Sequence, residues 1–523
     1  MCRFCLLFLV LLPFSLLSAA STDGVRVREG MLRGAPLDGG IVAYLGIPYA
    51  APPVGALRWK PPQPAAAWQG FRDATQFGAR PPQPTLWKDI VFRSPKASED
   101  CLYLNVWAPA SSPRQKLPVL VYFHGGGLVV GDGSEGRYDG AALARRGLVT
   151  VTVNYRLGIF GFLSHPELSA ETPARASGNY GLLDQVAALR WVRENIAAFG
   201  GDPARITIGG ESAGSISVSA LMASPLSRDL MAGAIGESGS VLGAMSAVSL
   251  AQAEAAGVEF AKAIAKPSLA ELRALPSEEL LAAALRVNAN HGRIVIDGLF
   301  LIEDPALTYR EGRQARIPLL AGWTSAEMDP GMVLAGKEPT PEVFLAALDR
   351  LLGAQAPAVA RVYPHATPSE VLQSATDLSS DLFIAQSSWK WTDQHSRSSG
   401  KPVYRFLYSQ LLPPQVLSEW GPDAKPSAPR LGAPHAADIP YFLGNLPLVN
   451  LWAWTPSDHA ASERIQAYVL RFVQTGNPNH AGAVEWPALK PDSPVEMVLA
   501  DRCEARAAPD LERRRVLDSL GGH

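Results

Sequence analysis

The sequence predicts an α/β fold: a central, mostly parallel, twisted sheet flanked by helices, with large helical and loop insertions over one end. Three observations carry this. Residues 117–123 are a nearly continuous apolar run, as expected of a strand buried on both faces, and 149–153 reads as the next strand. An amphipathic helix follows, with Leu182, Val186, Leu189, Val192, Ile196 and Phe199 stepping by three or four residues. The apolar stretch Ile206-Thr207-Ile208 then runs through a tight turn, Gly210-Glu211-Ser212-Ala213-Gly214, into a small-residue helix predicted over 213–223. Strand, loop, helix, strand, turn and helix in succession is the alternation of a parallel sheet with crossover helices.

The elements can be justified in order. Arg3, the apolar residues 4–17 and Ser18-Ala19-Ala20 predict a cleavable export signal over 1–20. The mature chain then starts near Ser21 and forms one domain, 21–523, expected to be secreted or periplasmic. The apolar run is short for a membrane span and no cysteine follows the cut, so no stable membrane anchor is expected. Cys2 and Cys5 leave with the signal; Cys101 and Cys503 remain, and the sequence leaves open whether they pair. The 523 residues are 47% hydrophobic and 18% charged, ample for a large core. A net charge of −2 argues against a nucleic-acid partner, and Arg513-Arg514-Arg515 reads as a solvated helix face. Oligomeric state is not set by anything in the sequence.

Residues 25–32 read as short strands joined by a turn. The prolines and glycines of 44–55 exclude a helix and mark an irregular, fixed loop, and further Pro-rich loop runs to Gln83. Such long loops commonly shape a binding gorge. A strand is predicted over 102–107, and the strand 117–123 ends in His124-Gly125-Gly126-Gly127. Residues 154–162 read as loop. Gly200-Gly201-Asp202-Pro203 stops the amphipathic helix. Beyond the small-residue helix, strands are predicted over 232–235, 317–321 and 403–408, helices over 250–290 and most of 340–400, and a last long helix over 462–474.

Three of these junctions carry chemistry. A serine between two glycines at a strand-to-helix turn is held up with its hydroxyl exposed, at a helix N-terminus that favours developing negative charge. Three glycines after a buried strand leave backbone N–H groups bare of side chains, suited to holding an oxyanion. A serine hydroxyl needs a base, and His435, in the loop Gly432-Ala433-Pro434-His435, has the right context. His124 is the rival, although it lies upstream of the serine. Asp132 and Arg137 follow the glycine loop closely enough to sit near a gorge mouth, but a surface position is the plainer reading. Neither a metal nor an organic cofactor is implied, because no His/Cys/Asp cluster has ligand spacing.

Together, the stretches Phe199-Gly200-Gly201-Asp202-Pro203 through Gly214, Glu99-Asp100-Cys101-Leu102-Tyr103-Leu104-Asn105-Val106, and Gly46-Ile47-Pro48-Tyr49-Ala50 resemble signatures of a known family. This is the type B carboxylesterase family of the α/β-hydrolase fold, which includes cholinesterases and bacterial p-nitrobenzyl esterase-like enzymes. The likeness runs from about residue 25 to 487. It implies a serine carboxylesterase acting on small-molecule esters, with Ser212 as nucleophile, Glu327 as acid and His435 as base. It implies an oxyanion hole from the N–H groups of Gly126, Gly127 and Ala213, with supporting roles for Glu211, Ser238 and Asp438. Lipase or amidase action, or a non-catalytic ligand-binding role, are the alternatives it leaves. The sequence departs from the family pattern at Ala326-Glu327-Met328, where Asp-Glu-Gly is common, and at Asp438, where Glu is frequent. Cys101 lacks the upstream cysteine that usually closes the gorge loop, so that loop is expected to be less constrained.

Overall fold

The computed structural model describes residues 24–520 apart from 88, 111–114, 244, 417–430 and 492. The predicted export signal lies outside the described residues. The first strands are β1 Val25–Val27, β2 Gly30–Leu37, β3 Ile41–Pro48, β4 Phe71–Ala74 and β5 Tyr103–Pro109. The middle of the chain gives β6 Leu117–Phe123, β7 Val149–Val153, β8 Gly201–Glu211, β9 Gly233–Glu237, β10 Val248–Ser249 and β11 Val295–Ile296. The remainder are β12 Leu319–Thr324, β13 Val403–Tyr408, β14 Val495–Leu499 and β15 Glu504–Ala507.

Thirteen of these make one sheet in the order β1-β2-β3-β5-β7-β6-β8-β9-β12-β13-β14-β15, with β4 beside β2. Every neighbouring pair from β7 to β14 is parallel; β1, β2, β3 and β5 at one end, and β15 at the other, run antiparallel. The mostly parallel α/β sheet is therefore as the sequence predicts. Alternation along β6 shows why helices cover both faces. Val119, Val121 and Phe123 pack with the helices Tyr180–Asn195 and Ala213–Ala223, whereas Leu120 and Tyr122 pack with the helix Pro456–Thr475. All six periodic apolar residues from Leu182 to Phe199 are buried, and Gly200, at φ 84°, ends that segment in the left-handed conformation.

Several local expectations need correction. Residues 44–48 are strand, not loop: β3 carries a bulge between Tyr44 and Ile47, and Gly46 at φ 65° makes it, its N–H donating to Asn105 Oδ1. Within 154–162, Gly158–Phe162 forms one helical turn, wholly buried. Arg513 and Arg514 are not a solvated face. Arg514 is buried and pairs with Asp381 at 2.5 Å, and Arg513 reaches Asp377 at 2.9 Å. Nor are Asp132 and Arg137 ordinary surface residues. Asp132 is fully buried, accepting the Ser94 hydroxyl and the Ser134 N–H, and the Arg137 side chain is 15% exposed.

Cys101 and Cys503 are both free thiols, the first buried. Hydrogen bonds stand where the loop upstream of Cys101 lacks its staple. Arg80 and Ser98 close it through the backbone, with Arg80 N–H to Lys96 O at 2.9 Å and Ser98 N–H to Arg80 O at 2.8 Å. The Gln83 amide then clasps Gly131, accepting its N–H at 2.7 Å and donating to its carbonyl at 3.0 Å. The loop is thus tied directly to the chain that follows the three glycines.

Candidate active site

The carboxyl ends of β6, β8, β9 and β12 converge on one place. At the end of β8, Ser212 has φ 53° and ψ −121°, a conformation that costs a non-glycine residue about 1–3 kcal/mol. Its N–H donates to Glu237 O on β9 at 2.8 Å, which helps to hold the strained turn. The flanking glycines are required by space. A Cβ on Gly214 would lie 2.1 Å from Phe123 O, and one on Gly210 would lie 2.6 Å from the Gly214 carbonyl carbon.

The glycine loop from β6 lies against this turn, since a Cβ on Gly125 would stand 3.2 Å from Ser212 Cβ. Gly126 and Gly127 have φ of 97° and 64°. Among the described residues, no protein acceptor takes the N–H of Gly126, Gly127 or Ala213. These donors are therefore available to an oxygen placed beside Ser212. His124 lies against the glycine loop, its Nδ1 2.9 Å from Gly125 O. It is buried and stacks on Tyr155 at a centroid distance of 4.4 Å, and burial lowers its pKa to about 4.

His435 Nδ1 is 2.6 Å from Glu327 Oε2. The carboxylate is fully used: its Oε1 accepts the Ser238 hydroxyl at 2.6 Å and the Thr324 N–H at 2.7 Å. The acid and base loops are also joined through their backbones, with Ala326 N–H donating to Ala433 O at 2.9 Å and Ala433 N–H to Ser325 Oγ at 2.9 Å. Ala326-Glu327-Met328 thus holds the Glu327 carboxylate against His435 in spite of its altered neighbours. His435 Nε2 faces Glu211 Oε1 at 3.2 Å, an ion-pair distance without an aligned hydrogen bond. No hydrogen bond joins Ser212 Oγ to His435 among the described residues. Such contacts commonly tighten only when substrate is bound. Phe383, carried on the π-helical turn Asp381–Ala385, packs edge-on to the imidazole at 5.1 Å.

Three buried carboxyl groups, Glu211, Glu327 and Asp438, set the electrostatics around His435. Burial alone would lower the His435 pKa, but Glu211, Glu327 and Asp438 outweigh it and raise it to about 9. Burial pushes Glu211 up to about 7, with His435 and Arg137 pulling the other way. Asp438 is held well above the usual carboxylate range by burial and then by Glu211 and Glu327, and among the described residues neither of its oxygens has a protein partner. The Glu211→Gln variant therefore has a defined expectation. Removing a negative charge beside His435 destabilises the imidazolium, so the rising limb of kcat/KM against pH moves to lower pH, by about one unit or more. A limb that stays in place or moves upward would dismiss Glu211 as a partner of the base.

Glu237 was missed by sequence reasoning. It is buried, its Oε1 accepts the Tyr122 hydroxyl at 3.0 Å, and it sits in register with Glu211 on the adjacent strand. A signal was available. Glu-Ser ends both strands, as Glu211-Ser212 and Glu237-Ser238, and both serines have positive φ, 53° and 57°.

Comparisons with known proteins agree with this geometry. The carboxylesterase family matches residues 21–514. The para-nitrobenzyl esterase of Bacillus subtilis (strain 168) is 36% identical over 509 residues, covering 94% of this chain and 98% of that one. The fumonisin B1 esterase of Sphingopyxis macrogoltabida is 33% identical, with 90% and 86% covered. Among solved structures, a PNB esterase superposes with a TM-score of 0.80 at 34% identity, covering 95% of this chain and 99% of its own. A Geobacillus stearothermophilus carboxylesterase gives 0.79 at 32% identity, with 94% and 99% covered. The chain has the α/β-hydrolase fold and belongs to the carboxylesterase family, serine hydrolases that cleave carboxylic ester bonds.

Proposed function

We infer that Ser212 attacks the ester carbonyl while His435 takes its proton, and that Glu327 orients the imidazole and stabilises the cation that forms. The oxyanion accepts hydrogen bonds from Gly126, Gly127 and Ala213. Collapse of the tetrahedral adduct expels the alcohol, which takes the proton from His435, and leaves an acyl group on Ser212. Water, deprotonated by the same imidazole, then releases the acid. Glu211, Ser238 and Asp438 support the base, Ser238 through its bond to Glu327. The single observation that carries this reading is the 2.6 Å Glu327–His435 contact beside a strained serine turn. The same reading includes export, with residues 1–20 removed.

One experiment tests it. The protein recovered from culture is treated with a fluorophosphonate and mapped by peptide mass spectrometry. A single adduct on Ser212 is expected, absent from the Ser212→Ala variant, with the chain starting near Ser21. Turnover of a short-chain aryl ester with Ser212 unlabelled would overturn the assignment, and an intact Met1 would overturn export.

A further inference from the structure

A cavity of about 370 Å³ opens where the helix Tyr180–Asn195 begins, within the range of about 300–1,000 Å³ typical of small-molecule sites. Among the described residues, none of the triad and none of the glycine loop lines it. We propose that it is a second ligand site, for a compact, uncharged, mainly apolar molecule that carries one oxygen acceptor, such as an aryl ketone.

The walls are stiff and apolar. Pro61 and Pro173 restrict the two loops that border the cavity, and Trp59, Ala176, Leu183 and Leu299 add apolar surface. Trp59 spends its N–H on Ile159 O at 2.8 Å, so its ring meets a ligand as hydrocarbon.

Most polar side chains of the lining are already used within the protein. Asn179 grips Val295 from both sides, its Oδ1 accepting the N–H at 3.0 Å and its Nδ2 donating to the carbonyl at 2.8 Å. The Asp297 carboxylate accepts the Asn179 amide at 2.9 Å and the N–H groups of Leu299, Phe300 and Leu301. Thr172 Oγ1 accepts the Ala176 N–H at 3.0 Å, and Ser177 Oγ lies 2.8 Å from Ser169 Oγ.

Tyr180 is the exception. The residue is 1% exposed, yet among the described residues its hydroxyl has no hydrogen-bond partner. The Gly178 N–H comes near it without an aligned bond. A buried hydroxyl left in this state costs free energy that a bound acceptor recovers. Burial raises its pKa, Arg156 and Arg273 oppose that rise, and Glu171 adds to it. Glu171 lies in the lining and takes Arg273 on both oxygens, at 2.5 and 2.7 Å. The hydroxyl therefore stands toward the Glu171 side of the cavity, where an acceptor reaches it.

Charge in the lining is balanced, which sets the class. Glu171 answers Arg273 and, at 4.0 Å, Lys60. An anion would face both Glu171 and Asp297, and a cation would find the Asp297 oxygens already bonded. A lone hydroxyl donor in apolar walls suits a neutral oxygen acceptor.

The test uses the full-length protein, with and without fluorophosphonate treatment, and benzophenone as the probe. On irradiation its ketone carbon bonds to a nearby carbon, and the hydrogen displaced there passes to the ketone oxygen. One saturable site is expected, with adducts on peptides containing residues 59–61, 172–183 or 299 whether or not Ser212 is blocked. In Tyr180→Phe the half-saturating concentration should rise about three- to tenfold, the loss of one hydrogen bond. That variant removes a hydroxyl no protein group uses, so its thermal unfolding and methyl acetate turnover should match the wild type. Adducts confined to other peptides, or equal half-saturation in the two proteins, would overturn the site. 4-Benzoylbenzoate should bind more weakly than benzophenone, and equal or tighter binding would overturn the uncharged class.

Discussion

Replacement of His435 by alanine is expected to lower kcat on the order of 10⁶-fold, with KM changing far less. The loss is large because nothing nearby can act in its place. His124 is buried, stacked on Tyr155 and kept neutral, and it is committed to the glycine loop, its Nδ1 2.9 Å from Gly125 O. Glu211 is near, but among the described residues it makes no hydrogen bond to Ser212. The fold should survive, because the Glu327 carboxylate left behind still accepts the Ser238 hydroxyl and the Thr324 N–H and is not orphaned. Kinetics with a soluble ester, beside thermal unfolding, separate the two effects. A variant retaining more than about a hundredth of wild-type kcat would place the base elsewhere.

Glu327→Gln is expected to cost about 10⁴-fold in kcat, far more than an isosteric change would suggest. Glu327 Oε1 takes two donors, Ser238 Oγ–H and Thr324 N–H, so the oxygen of a glutamine must stay there. Its NH₂ is then forced to face His435 Nδ1, which sits 2.6 Å from Oε2 in the native protein. An amide donor in that place selects the imidazole tautomer that carries its hydrogen on Nε2, and such a ring cannot accept the proton of Ser212. It also withdraws the negative charge that favours the imidazolium, so the rising limb of the pH profile should move down as activity falls. Full activity in this variant would remove Glu327 from the triad.

Where the sequence was legible, it was through short-range constraint. The bounds of β6 were readable because an apolar run buried on both faces leaves little choice of register. Gly210 and Gly214 announced the turn because no side chain fits beside Phe123 O. What escaped was set by contacts across the sheet. Gly46 and Pro48 looked like loop residues, but a bulge uses the first and the end of a strand tolerates the second. Arg514 looked solvated because its partner Asp381 lies 133 residues earlier and on another helix. Glu237 went unnoticed because its importance is lateral, through Ser212 N–H and Tyr122, and no spacing along the chain encodes that. Aligning Glu211-Ser212 with Glu237-Ser238 would have exposed it. The loop of Glu327 stood out through its glutamate, although nothing local to Ala326 foretold its bond to Ala433.

The parallel strand ends are stitched in series. Ser212 N–H bonds to Glu237 O, Ser238 N–H to Gly322 O, Ser325 N–H to Tyr408 O, and Ala326 N–H to Ala433 O. Each stitch joins one strand end or its adjoining loop to the next, so the spacing of the reacting groups is insulated from how much chain lies between them. Beyond the Glu327 loop and Phe383, which packs on the imidazole, the helical excursion between β12 and β13 can therefore lengthen, shorten or change composition without moving the stitched strand ends. Two kinds of evolutionary change are uncoupled in this architecture: substrate range can drift in the excursions while the stitched edge stays constant. The same scaffold can then be refitted to new esters by exchanging whole excursions, with no need to rebuild its centre.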